Sequence, residues 1–185
     1  MKKNFGVQTI LYPMPVLIIG SYDENGIPNA MNAAWGGIHN TNEVGICLSA
    51  DHKTVKNILK SKAFTVSFAD VEHIVACDYV GIASGNNVCD KMHKAGFSVS
   101  KSEFVNAPVI NELSLSLDCE LISYDEESEY MVGKIVNVAA DESILTDGKI
   151  DVNKLQPVTY DPVSHNYVRL GDVVGKAFSD GKKLF

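Results

Sequence analysis

No run in this chain approaches the ~20 consecutive apolar residues of a membrane-spanning helix, and the stretch after Lys2 and Lys3 is interrupted by Pro13 and Pro15. Val16 to Gly20 is too short for a secretory apolar segment, and no small-residue cleavage site precedes Asp23-Glu24-Asn25-Gly26, so export is not expected. Cysteines are few and scattered. Cys47, Cys77, Cys89 and Cys119 form no CxxC pair, which points to free thiols in a reducing cytoplasm. There is no surplus of positive charge either: 16 Lys and Arg against 23 Asp and Glu leave a net −7. That balance argues against a general nucleic-acid or anionic-membrane surface, since both select basic patches. No GxGxxG follows a strand, so a dinucleotide has no domain of its own here. Repeats, linkers and low-complexity blocks are also absent, and residues 1–185 read as one domain.

What is present is an ordinary globular composition, 45% hydrophobic and 21% charged. A chain of this length buries roughly 70% of the surface its unfolded form exposes. Val16 to Tyr22 is a β-rich run, and the turn at Asp23 to Gly26 sends it back through Pro28 to Trp35 as a hairpin. Val44 to Ser49 is a further strand, and Val55 to Lys60 a helix with Val55, Ile58 and Leu59 on one face. Phe64 to Phe68 alternates apolar and polar, which predicts a half-buried strand. Helices follow at His73 to Tyr79, ended by the glycine-containing run 81–87, and at Asp90 to Ala95, stopped by Gly96. Leu113, Leu115, Leu117, Cys119 and Leu121 recur at period two, and Tyr130 to Val138 returns beyond the acidic tip 125–129 as the partner strand. Asp151 to Leu155 can form one helical turn. The expected class is mainly β with helical insertions, a barrel.

The stretch Asn29 to Thr54 carries the chemistry. Its second strand is rich in Ala and Asn, poor strand formers, so packing or a ligand must compensate. Small side chains at Ala30, Ala33 and Ala34 let a planar ligand lie against backbone amides, and Trp35 can wall such a pocket. Further on, Ser49-Ala50-Asp51-His52-Lys53-Thr54 stands where a strand ends and a helix begins. A helix N-terminus exposes unpaired N–H groups and a partial positive charge, to which Lys53, Thr54 and Ser49 add a full charge and two hydroxyls. Together the two halves suit a planar ring bearing a phosphate. The plainer alternatives are that Asp51 or Thr54 simply caps the helix and that Ala33-Ala34-Trp35 packs in the core.

Five segments in this order resemble the flavin reductase-like, FMN-binding split-barrel family, in its flavoredoxin-type branch. They are Pro13-Met14-Pro15-Val16, Asn29 to Trp35, His52-Lys53-Thr54, Gly81 to Gly85 with Asp90-Lys91, and the tail Leu170 to Phe178. The resemblance implies a Greek-key split β-barrel that forms a homodimer with FMN near the subunit interface. It implies flavin contacts at Asn29, Asn32, Ala33, Ala34, Trp35 and Lys91, phosphate contacts at His52, Lys53 and Thr54, and an aromatic at Tyr167. Some relatives have a histidine where this chain has Glu129-Tyr130, and no equivalent is carried over. The implied activity is electron transfer through the flavin, as an oxidoreductase using NAD(P)H or a protein electron donor. The alternative is a non-catalytic FMN-carrying or electron-transfer module reduced by a protein partner. Flavin chemistry resides in the cofactor, so no obligatory acid–base residue is expected.

Two rival constellations remain. His73 with Cys77 and Cys89 with His93 each stand four apart, which makes a Cys₂His₂ zinc site conceivable, although the intervening loop lacks knuckle spacing. Cys77 or Cys89 near Lys91 could instead serve as a redox thiol. Cys47 and Cys119, at strand positions, read as core, and His39 and His165 as surface residues.

Overall fold

The computed structural model describes residues 1–185. Strands β1 (Met14–Pro15), β2 (Leu17–Tyr22), β3 (Pro28–Ala33), β4 (Gly36–Asn40) and β5 (Glu43–Cys47) lead into helix α1 (Lys53–Ser61) and strand β6 (Ala63–Phe68). Helices α2 (Ile74–Ile82) and α3 (Lys91–Ala95) are followed by short strands β7 (Val99–Lys101) and β8 (Pro108–Ile110). The long pair β9 (Leu115–Asp125) and β10 (Tyr130–Ala140) comes next. A small hairpin, β11 (Leu145–Thr146) and β12 (Lys149–Ile150), and the one-turn helix α4 (Val152–Leu155) lead to β13 (Val158–Asp161) and β14 (Asn166–Arg169).

Seven strands form one antiparallel sheet in the order β3-β2-β6-β9-β10-β5-β4. Its two edges, β3 and β4, are consecutive in sequence and joined only by Ala34 and Trp35. The sheet curls into a half-barrel. Leu17, Ile19, Val44, Ile46, Phe64, Val66 and Met131 fill the inside, and α1 closes one end with Val55 and Ile58.

The opposite face is buried as well. Val16, just ahead of β2, and Ile18 of β2 pack with Cys77 and Val80 of α2, Met92 of α3 and Ile110 of β8. This second layer corrects one expectation. β6 is buried at five of its six positions rather than on one face, because the chain around β8 covers its polar side, where Thr65 Oγ1 donates to the Pro108 carbonyl at 2.6 Å. Ser116 and Asp118 of β9 are buried alongside Cys119, so the period-two leucine pattern marks one face of a strand covered on both. Asn137 Nδ2 donates to Asp118 Oδ2 at 2.8 Å, while the buried Oδ1 of the same carboxyl has no partner.

Helix boundaries also move. α1 begins at Lys53, two residues before its apolar face, and α2 continues through Gly81 to Ile82 instead of stopping at the glycine. α3 ends as expected, with Gly96 left-handed at φ 78° and its N–H on the His93 and Met92 carbonyls. Asp151 caps α4 by accepting from Asn153 N–H. The three-stranded sheet β1-β13-β14 was not foreseen; it carries Tyr160 and Tyr167 to the rim of the half-barrel.

Candidate functional site: two joined cavities at the barrel corner

At the corner where β3 gives way to β4 the backbone leaves the sheet. A cavity of about 320 Å³ opens there between Asn32 to Trp35, the end of β5, α2 and the tyrosines of β13 and β14. A second cavity of about 270 Å³ lies beside it, between the N-terminus of α1, the C-terminal end of α2 with the loop that follows, and Lys91 of α3. Met31, His52 and Gly81 line both, so the two are joined.

The first cavity is flat and mostly apolar. Trp35, 47% exposed, stands with its ring centroid 6.3 Å from that of Tyr160, which lies 6.1 Å from Tyr167. The Tyr167 hydroxyl donates to Asp78 Oδ1 at 2.7 Å. Asn32 Nδ2 donates to the Cys77 carbonyl at 3.1 Å and reaches the Tyr167 oxygen at 3.4 Å. Burial, then the Asp78 carboxylate, push the Tyr167 phenol well above its usual range, so it stays protonated and keeps donating. Gly81 lets α2 come this close: a Cβ there would lie 2.9 Å from Asn32 Cβ.

The second cavity is polar and cationic. His52 is the N-cap of α1 in extended conformation and makes no side-chain capping bond, so the first-turn N–H groups face outward without a side-chain partner. Lys53 Nζ lies 3.4 Å from Asp23 Oδ2. Lys91 is only 4% exposed and has no carboxylate beside it; burial alone pulls its ammonium down to about 8. Asn29 Nδ2 donates to Thr54 Oγ1 at 2.7 Å, while its buried Oδ1 has no partner, an omission that costs about 1–3 kcal/mol. A ligand hydroxyl can donate to that oxygen. With the amide turned over, Thr54 donates to Oδ1 and Nδ2 faces the cavity as a donor. A Cβ on Gly85 would sit 2.2 Å from Asn29 Oδ1, so the cradle exists only because residue 85 has no side chain. The donor set fits a phosphate and the neighbouring cavity fits a planar ring.

Of the residues expected from sequence, Asn32, Ala33, Ala34, Trp35, Ser49, His52 and Tyr167 line the first cavity, and Asn29, His52, Lys53, Thr54 and Lys91 the second. Ala50 lines neither; its N–H lies 3.4 Å from Glu129 Oε1. Helix capping by Asp51 or Thr54 does not occur. Cys47, read as core, is exposed and lines the first cavity, whereas Cys119 is buried and its thiol pushed up to about 12 by burial. Cys77 is also buried, its thiol likewise at about 12 for the same reason, which removes thiolate reactivity at neutral pH. His73 is engaged by Asp70, with Nδ1 2.9 Å from Oδ1, and no three metal-ligating side chains gather anywhere. Asp78, Tyr160 and Met31 escaped the sequence reading; their spacing gives no local signal, and only the packing of α2 and β13 on β3 assembles them.

The curled seven-strand half-barrel places this chain in the class of flavin reductase-like split-barrel proteins. The chain belongs to the family of the flavin reductase like domain, which it matches over residues 9–162. Within that class it is similar to the flavoredoxin of Desulfovibrio vulgaris (Miyazaki F), at 37% identity over 98% of this chain and 100% of that one, TM-score 0.93. It is similar too to the flavoredoxin of Methanosarcina acetivorans, at 29% identity over 100% of both chains, TM-score 0.91. The FMN-binding domain of a flavin reductase-like enzyme from Shewanella baltica OS155 shares the fold: 18% identity, 88% of each chain, TM-score 0.79.

Proposed function

We propose that this protein binds FMN and passes electrons through it, as an oxidoreductase of flavoredoxin or flavin reductase type. The observation that carries the reading is the division of charge between the joined cavities: an apolar, aromatic-walled space beside one holding Lys91, Lys53, a bare helix N-terminus and the orphaned Asn29 oxygen. Lys91, Lys53, Thr54 and the N–H groups of α1 hold the phosphate. Ala33 and Ala34 present backbone to the ring, and Trp35 and Tyr160 bound it. When bound, the flavin supplies hydride acceptance and one- or two-electron transfer, chemistry the polypeptide lacks.

NAD(P)H is one electron donor this arrangement serves, because the corner at Trp35 is open enough for a nicotinamide to reach a ring held there. A low-potential protein carrier is the other, and the same cavity then belongs to a module without turnover on NAD(P)H. The free cysteines accord with a cytoplasmic setting, and no helix is long and apolar enough to cross a membrane. We assign a homodimer, since Val173, Val174, Phe178, Leu184 and Phe185 all lie open to solvent on a single chain.

The decisive test is titration of the apoprotein with FMN and with riboflavin. FMN should bind at least about tenfold more tightly, a difference of ~1.4 kcal/mol, and equal affinities would sink the phosphate assignment. Steady-state oxidation of NADH and NADPH with free flavin then separates a reductase from a carrier-fed module.

A further inference from the structure

Asp78 is the unexplained charge in the ring cavity. It projects from the middle of α2 into a space otherwise bounded by apolar groups, amides, hydroxyls, the Cys47 thiol and the His52 imidazole, and it has no cationic partner within ion-pair distance. One oxygen accepts from Tyr167, whose ring is fixed against Tyr160 and whose own oxygen is approached by Asn32. The carboxylate is therefore held in place rather than neutralised: its partner is a phenol kept protonated. The cations lie on the far side of Met31 and Gly81, in the phosphate cavity.

We propose that Asp78 lowers the reduction potential of this site by placing a negative charge beside the redox ring, with Tyr167 as the positioning residue that aims it. The inference rests on the FMN assignment above. Its electron balance is simple. Two electrons enter the cavity, both at once from reduced nicotinamide or one from each of two encounters with a low-potential one-electron carrier. If one proton accompanies them, the cavity gains one negative charge, which Asp78 opposes; if two accompany them, it gains none. The carboxylate thus lowers the potential chiefly where only one proton is taken up, at the higher pH. The other groups facing the cavity are Tyr160 and Tyr167 from β13 and β14, Cys47 from β5 and His52 ahead of α1, with Asp51, Lys53 and Lys91 around the adjoining cavity. Among these Asp78 is the one carboxylate on the ring side.

The test is the midpoint potential of FMN-loaded protein, measured against reference dyes between pH 6 and 9, for wild type, Asp78→Asn and Tyr167→Phe. Asn is isosteric and still accepts from Tyr167, so the hydrogen bond survives while the charge goes. At pH 8.5 the Asp78→Asn protein should show about a tenfold higher reduced-to-oxidised ratio at fixed potential, equivalent to about 30 mV for a two-electron couple. The gap from wild type should shrink toward pH 6. Tyr167→Phe leaves the carboxylate charged but no longer aimed, and should raise the potential by clearly less than Asp78→Asn does. An unchanged potential in Asp78→Asn with FMN still bound, or equal rises in both variants, overturns the inference. Failure of the wild type to bind FMN at all overturns the functional reading on which it stands.

Discussion

Lys91 is the side chain whose chemistry is most exposed to test. A buried ammonium without a carboxylate is unfavourable in the free protein, and a phosphate relieves it. The sign follows from its lowered value. Between about 8 and the usual 10.5 the unfolded chain binds the proton and the folded one does not, so stability rises with pH across that window. Urea unfolding of the ligand-free protein should show wild type gaining on Lys91→Gln from pH 8 to 10, and parallel curves would refute the assignment. Phosphate binding restores the proton, so FMN affinity should be flat below pH 8 and fall above it. Lys91→Gln should weaken FMN by about tenfold or more, since a charged hydrogen bond contributes about 1.5–3 kcal/mol, and should abolish that pH dependence. Isothermal titration at pH 7 and 9.5 reads both effects. Single residues were also where the sequence was most informative. Lys53 and Thr54 read as donors at a helix start in an otherwise acidic chain and Lys91 entered through the family resemblance, whereas Asp78 and Tyr160 carry no signal until the fold brings them together.

At the scale of elements, the site depends on how closely α2 approaches β3. Gly81 is the contact point, and Ala there places a methyl 2.9 Å from Asn32 Cβ. Either the helix backs off or Asn32 turns, and both release Tyr167. Gly81→Ala should therefore cost about 1–3 kcal/mol, as overpacking does, and weaken FMN and riboflavin alike. Chemical denaturation and flavin titration measure the two; a loss confined to FMN would place the damage in the phosphate cavity instead. Periodicity made the hairpins and α1 legible, because one face of each meets a core. It misjudged the burial of β6, whose polar face is covered by the chain around β8, since pattern alone does not report a second layer. β13 and β14 were missed because a four-residue strand such as Asn166–Arg169, exposed at three positions, has almost no hydrophobic alternation to detect.

On the scale of the whole molecule, the half-barrel leaves its C-terminal tail nearly uncovered, with Val174 and Phe178 fully open. In the proposed homodimer this surface packs against a second copy. Light scattering should give twice the 20.1 kDa chain mass for the full protein, and removal of residues 172–185 should yield monomers; a full-length monomer with tight FMN would refute interface binding. Ligand linkage adds a global readout. At a hundredfold excess over its dissociation constant FMN should stabilise the fold by about 2.7 kcal/mol, visible as a raised melting temperature that riboflavin reproduces only weakly. The open corner has a consequence of another kind. Trp35 is the chain's single tryptophan, and it forms a wall of the ring cavity. The protein's entire indole emission therefore originates beside the proposed chromophore, and quenching by energy transfer to a bound flavin would count filled sites optically, without a label and without turnover.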